Sequence, residues 1–423
     1  MIPAARFSGA VAAERRAMSL TVFINAGPWL PVPPSGYGGV ENMLVHLIRE
    51  LRERHGHRVI LGTVGDSRIK AERLVSFFQE GQHRHMTAPY CDAVSLACTH
   101  MQRVLKTIRK TRTIDVVHDF VEIIGPSMLA ELGADGPPVL HTLQWNLADN
   151  QDFYRHFEGG RRVFFNGISG PQMAAATPNI RRNHLGVVHN GVDVDDFHYR
   201  ADKEDFVITL ARFTHDKGQD IAARICAGLG IPLLMAGTVG GVDSPELLLK
   251  ELQDPASPLH HYKDVQYYLQ SVLPNERKQP RVSWVGGVGG ERKKAFLAGA
   301  RALLMPIRWE EPFGMAVIEA LASGTPVVAM RRGAMPVIVR DGYNGFLADD
   351  EREFEECLQR VDEIKPENCR RSVAERFSAA SMAARYVALY RQVIERAAAT
   401  RPSGNGNGHP VTPRNLHNAD VPA

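Results

Sequence analysis

Two carboxylates, Glu311 and Glu319, stand in Pro306–Ala329, PIRWEEPFGMAVIEALASGTPVVA, with seven residues between them. Pro312-Phe313-Gly314 follows the first and suits a sharp strand-to-helix turn. A helix starting there would point the N–H groups of Phe313, Gly314 and Met315 outward, which favours an anion such as a phosphate. Were the whole stretch helical, the two carboxylates would lie roughly 12 Å apart along its axis. They could not share one proton, but they could grip hydroxyls at two ends of an extended ligand. A solvated Glu at a helix start plus a surface Glu would leave the same pattern.

Cations are available in Leu210-Ala211-Arg212-Phe213-Thr214-His215-Asp216-Lys217-Gly218. Arg212 and Lys217 would sit beyond the carboxyl end of a strand, where open parallel sheets bind ligands. Arg supplies a fork of donors and Lys a point charge, so together they can neutralise a diphosphate. Two loop cations facing water are the bland alternative. A third cluster, Pro34-Ser35-Gly36-Tyr37-Gly38-Gly39-Val40-Glu41, lets backbone amides approach a phosphate or sugar closely. It lacks the G-x-G-x-x-G spacing of a dinucleotide fingerprint, and a flexible turn would read the same way.

The elements that must hold these residues alternate between strand and helix. Strand-like runs are Leu20–Asn25, Arg58–Leu61, Ile114–His118, Pro138–Thr142, Val163–Ile168 and Val187–His189 in the first half. In the second half they are Phe206–Ala211, Pro232–Ala236, Arg281–Val285, Ala302–Met305 and Pro326–Ala329. Several are continuously apolar, as strands covered on both faces by helices must be. Eleven strands suit two parallel sheets of five or six better than one. The polar stretch Asp193–Asp205 is the best break, Val242–Pro280 reads as a helical insertion, and Ala379–Ala398 has helical periodicity.

The Pro306–Ala329 segment resembles the E-x7-E signature of family 4 retaining glycosyltransferases, and Gly324-Thr325-Pro326-Val327-Val328 continues the match. The similarity extends over most of residues 20–395. It implies the GT-B fold: α/β, with two Rossmann-like domains facing each other across a cleft. The expected division is an arm over 1–18, an acceptor domain over 19–195, and a donor domain over 196–378. A helix over 379–398 is expected to cross back to the first domain, followed by a disordered tail over 399–423.

The resemblance also implies roles. Glu311 would contact the donor sugar's hydroxyls, and Glu319 would bind the nucleotide ribose. Arg212 and Lys217 map onto the family's G-R-x(4)-K-G pair, with Ala211 in place of the Gly. Gly38 and Gly39 would face the donor, and Val285-Gly286 would hold the base by backbone contacts. Two positions depart. Gln144 stands where the family usually has a His at the donor sugar, and Gln cannot become cationic. Val337 stands where Glu is frequent. Asp115–His118 and Val188–Asp193 read mainly as scaffold, with cleft lining as the alternative for His118.

The expected reaction is hexosyl transfer, with retention, from a UDP-, GDP- or ADP-sugar to a glycan, lipid or small-molecule acceptor. No Asp-x-Asp motif marks a metal-held diphosphate, so neither metal nor cofactor is expected. A sugar-nucleotide epimerase, a phosphorylase and a non-catalytic sugar-nucleotide binder are the rivals.

Composition is that of a globular chain: 423 residues, 44% hydrophobic and 23% charged. A net charge of +3 gives no argument for nucleic acid. Five scattered cysteines lack metal-ligand spacing and suit reduced thiols in the cytoplasm. Glu14, Arg15 and Arg16 stand where a signal peptide would need an apolar core. The run Arg103, Lys106, Arg109, Lys110 and Arg112 contains no acid. It suits either a solvated helix face or contact with an anionic membrane.

Overall fold

A computed structural model describes residues 19–36, 38–83, 90–159 and 162–399. The expected arm over 1–18, Tyr37, and all but the first residue of the expected tail lie outside the described residues.

Seven parallel strands form the first sheet: β1 (Thr21–Asn25), β2 (Arg58–Gly62), β3 (Arg73–Val75), β4 (Val116–Asp119), β5 (Val139–Thr142), β6 (Val163–Gly167) and β7 (His184–Val187). Their order is β3-β2-β1-β4-β5-β6-β7. Six form the second: β8 (Val207–Leu210), β9 (Leu233–Ala236), β10 (Val282–Trp284), β11 (Ala302–Met305), β12 (Val327–Met330) and β13 (Gly345–Ala348). Their order is β10-β9-β8-β11-β12-β13. In each sheet the order reverses beside the first strand, the place where a ligand crevice opens at the carboxyl ends.

The two sheets are larger than the sequence suggests. β3 and β13 are short edge strands, and three or four residues are too few to display a period. The run expected at Val187–His189 is displaced toward the N-terminus, because β7 pairs with β6 from His184 onward. The insertion is a series of short helices between Pro245 and Lys278, as its loss of strand alternation predicts.

The C-terminal helix, Ala379–Ala399, returns to the first sheet. Met382, Tyr386, Val387, Leu389, Tyr390 and Val393 are buried with Val22, Ile24, Leu44, Leu47 and Leu140. Burying that face stabilises the docking by on the order of 10 kcal/mol before ordering costs. His118 lies beneath it, fully buried: Nδ1 is 2.8 Å from the Tyr390 hydroxyl and Nε2 is 2.7 Å from Thr142 Oγ1. This is the scaffold reading of His118, and it removes the residue from the cleft.

The chain passes between the domains twice, and the two passages are hydrogen-bonded to each other. Val192 N–H donates to Phe377 O (3.0 Å), and Ala379 N–H donates to Val192 O (2.9 Å). A Cβ on Gly191 would come 2.7 Å from Ser378 O, so glycine is required for that approach. Arg49, on the helix Gly39–Arg49, ties the linker down by donating to Asp196 at 2.6 Å.

Candidate active site

The loop after β8 carries Lys217 on a 3₁₀ turn, His215–Lys217. Gly218 closes the turn at φ 71°, and a Cβ there would meet Pro306 O at 2.0 Å, so this loop is pressed against the one that follows β11. The turn is braced from behind. Arg308 donates to both carboxylate oxygens of Asp220 (2.8 and 2.7 Å) and to His215 O (2.9 Å). Tyr267 adds a 2.6 Å bond to Asp220.

Lys217 Nζ then meets Glu311 Oε2 at 2.5 Å and stands 4.3 Å above the centre of the Trp309 ring. Glu311 lies ahead of the helix Met315–Ala322 and not within it, so the one-helix separation expected for the two carboxylates does not apply. Gly314 caps that helix at φ 102°, a conformation available to glycine. Of the first-turn N–H groups that follow, Val317 N–H donates back to Gly314 O at 3.1 Å. Phe313 is buried against His189 and Phe377, beside the domain crossings. Glu319 is buried one helical turn deeper and accepts from Lys293 Nζ at 2.8 Å.

The glycine loop of the first domain reaches the same helix start. Gly38, at φ 149°, caps the helix Gly39–Arg49, and a Cβ on Gly39 would lie 3.7 Å from Met315 Cγ. A Cβ on Gly289 would meet Ser35 O at 2.1 Å, so the two domains touch here backbone to backbone. Glu41, buried in the first turn of this helix, has its carboxyl pushed up to about 7 by burial.

Arg212 flanks the Lys217 turn, and its carbonyl accepts from Gln219 Nε2 at 2.8 Å. Its charge also acts on Asp264, whose carboxyl is raised by burial and lowered by Arg212. Val285 N–H donates to Met235 O (2.9 Å), and Gly286 O accepts from Gly237 N–H (3.0 Å). Those two backbone groups are therefore already engaged within the second domain.

Gln144 lies beyond the carboxyl end of β5. It pairs with Asn190 through both amide groups, at 3.3 and 3.2 Å. Asn190 is buried, and it belongs to the Val188–Asp193 segment that reads as scaffold from sequence. Asn190, Trp309 and Lys293 are the contacts that sequence reasoning misses. Asn190 stood in a quoted motif and Trp309 two residues before Glu311, whereas Lys293 carried no signal beyond a charged run.

An Asp-x-Asp triplet does occur at Asp193-Val194-Asp195, in the linker. Asp193 caps a turn by accepting from Asp195 N–H, and Asp195 pairs with Arg370 at 3.1 Å. Among the described residues, no group of three or more His, Cys, Asp or Glu side chains is placed to hold a metal.

Residues 193–380 match the family model for glycosyl transferases group 1. Among curated proteins, the chain is 27% identical over 301 residues to D-inositol 3-phosphate glycosyltransferase of Mycolicibacterium smegmatis, covering 66% of this chain and 62% of that protein. It is 32% identical over 180 residues to MMP alpha-(1->4)-mannosyltransferase of Mycolicibacterium hassiacum, covering 38% and 44%. The chain thus spans less than two thirds of the length of these relatives. Among solved structures, AviGT4, a glycosyltransferase involved in avilamycin A biosynthesis, superposes with a TM-score of 0.60 at 23% identity, covering 89% of this chain and 98% of that one. Sucrose-phosphate synthase from Thermosynechococcus elongatus gives 0.68 at 18% identity, covering 89% and 99%. Anabaena HepE in complex with UDP and glucose gives 0.62 at 16%, covering 88% and 100%. With two parallel-sheet domains meeting at the glycine loop and the Met315 helix, this chain has the GT-B fold, and its residues 193–380 match the glycosyl transferases group 1.

Proposed function

We propose that the protein transfers a hexosyl group from a nucleoside diphosphate sugar to an acceptor hydroxyl, with retention and without a metal. The observation that carries this reading is the convergence of Lys217, Glu311 and the start of the Met315–Ala322 helix on one point, opposite the glycine loop. Lys217, Arg212 and the amides of Phe313–Met315 supply fixed positive charge for a diphosphate that gains charge as it leaves. Glu311 and Glu319 supply hydroxyl acceptors at the two ends of the donor. The donor's C–O bond to phosphate breaks, and the bond to the acceptor oxygen forms on the same face. The acceptor's proton passes to the leaving phosphate oxygen, so no protein nucleophile is required.

The relatives and neighbours support a nucleotide-sugar donor, since HepE was solved with UDP and with UDP-glucose. They do not single out a base. Starch synthase IV, of the same fold, was solved with ADP and acarbose. We place the protein in the cytoplasm, where nucleotide sugars are made.

A thermal-shift screen of UDP-, GDP- and ADP-sugars tests the donor. Ligand at about 100 times its Kd stabilises the fold by roughly 2.7 kcal/mol. Acceptor-dependent release of the diphosphate from the hit, unaffected by EDTA, tests the reaction. A hit consumed without acceptor points to an epimerase. The Gln144–Asn190 pair favours a second reading, a sugar-nucleotide binder, because Gln144 has no titrating proton to offer at the sugar. Binding without turnover across an acceptor panel would establish that reading.

A further inference from the structure

The basic run on the helix Tyr90–Lys110 takes no part in the site above. Its inner face, Met101, Val104, Leu105 and Ile108, is buried against the first sheet. The outer face therefore carries Arg103, Lys106, Thr107 and Lys110 at i, i+3, i+4 and i+7, one side of a helix. In the structure these side chains do not simply radiate into water. With Arg73 of the edge strand β3 and with Thr111, they line one hollow of about 210 Å³. Arg73 closes it by donating to Thr111 Oγ1 at 3.0 Å.

Four cations and two hydroxyls thus face a common space with no carboxylate in its wall. Among the described residues, none of the four is in an ion pair. Elsewhere on the surface Arg200, Arg281, Arg301, Arg331 and Arg360 each hold a carboxylate. Gathering like charges costs Coulomb energy, which water and salt screen in part and a bound anion offsets further. The same edge of the domain also exposes apolar side chains. Phe77, just beyond β3, is 55% exposed, and Leu74, on the face of β3 opposite Arg73, is 38% exposed.

We propose that this edge of the first domain docks on an anionic phospholipid surface, with the Arg73–Lys110 hollow receiving lipid phosphate and Phe77 entering the headgroup layer. Clustered cations next to exposed apolar side chains are what a monotopic surface contact requires. A single-stranded nucleic acid would instead need aromatic faces along the cations for base stacking, and none lines the hollow. Among the described residues no helix is long and apolar enough to cross a membrane, so the contact is with the surface.

Flotation of the full chain with phosphatidylcholine vesicles, with and without phosphatidylglycerol, tests the docking. Binding is expected only to the anionic vesicles and is expected to weaken with added salt. Each cation contributes about fivefold in affinity, so Arg103→Glu/Lys106→Glu/Lys110→Glu should lose at least about a hundredfold. Those side chains are on the outer helix face, so the melting temperature and the affinity for the nucleotide sugar should stay unchanged. Phe77→Ser should weaken vesicle binding with the charge intact. Three results would each overturn the proposal: equal binding to neutral vesicles, undiminished binding of the triple variant, or saturable binding of inorganic phosphate or of RNA that the triple variant loses while vesicles never bind.

Discussion

Lys217 Nζ and Glu311 Oε2 are 2.5 Å apart, on loops that follow two neighbouring strands, β8 and β11. The side chains are only 23% and 11% exposed, and the Trp309 ring lies under the ammonium. A cation held this way is pre-placed, and so is the carboxylate that accepts its hydrogen bond. An arriving diphosphate must share Lys217 with Glu311.

The two partners should therefore respond differently to substitution. Lys217→Ala is expected to lower nucleoside diphosphate affinity about tenfold to a hundredfold, the equivalent of about 1.5–3 kcal/mol. Glu311→Gln releases Lys217, so diphosphate affinity should hold or rise while turnover falls. Calorimetry with the free nucleoside diphosphate reads both. An unchanged Kd in Lys217→Ala would sink the clamp.

Gln144 is held by Asn190 and not by the Lys217–Glu311 cluster. Gln144→His tests what the position does. If both proteins are active on different sugars, Gln144 sets donor preference, which is the expected result. The wild-type rate should then vary little between about pH 6 and 8, where a His would titrate. Turnover confined to the His variant would make the natural protein a binder.

Tyr390→Phe removes the hydroxyl partner of a fully buried imidazole. The expected loss is about 1–3 kcal/mol, the cost of leaving a buried polar atom unpaired. Removal of the chain from Ala379 onward exposes Met382, Tyr386 and Leu389 and should lower the melting temperature much further. Calorimetric melts check both, and a truncated chain with an unchanged melt would refute the docking of this helix.

Acid should destabilise the fold through its buried histidines. Burial pushes His46, His57 and His100 each down to about 4, and holds His118 well below the ordinary imidazole range. The folded state keeps them neutral while the unfolded chain protonates near 6.5. Their contribution is thus complete above pH 6.5 and is lost as the pH falls toward 4. Glu41 acts in the opposite sense, because its folded value is raised; its contribution fades as the pH rises toward 7. His100, buried and 2.8 Å from Asn25 Oδ1, isolates the first effect. The stability gap between His100→Gln and the natural protein should narrow by about 2 kcal/mol between pH 7 and pH 5. A gap independent of pH, measured by urea denaturation, would count against a neutral buried imidazole.

The sequence by itself determined the fold class and most of its strands. Runs such as Ala302–Met305 are buried on both faces, so they are apolar throughout, and local composition announces them. It also marked the turn where backbone geometry dictates residue type at Gly314. It did not reveal β3 and β13, whose few residues take their strand conformation from a neighbour. Which charges meet was likewise beyond it. Glu311 and Lys217 are 94 positions apart in the chain. Gln144 and Asn190 find each other only because β5 and the segment after β7 end on the same side of one sheet. Arg73 joins the helix cations across a sheet edge. Pairings of this kind depend on distances of a few ångströms between elements remote in sequence, and tertiary packing alone sets those distances.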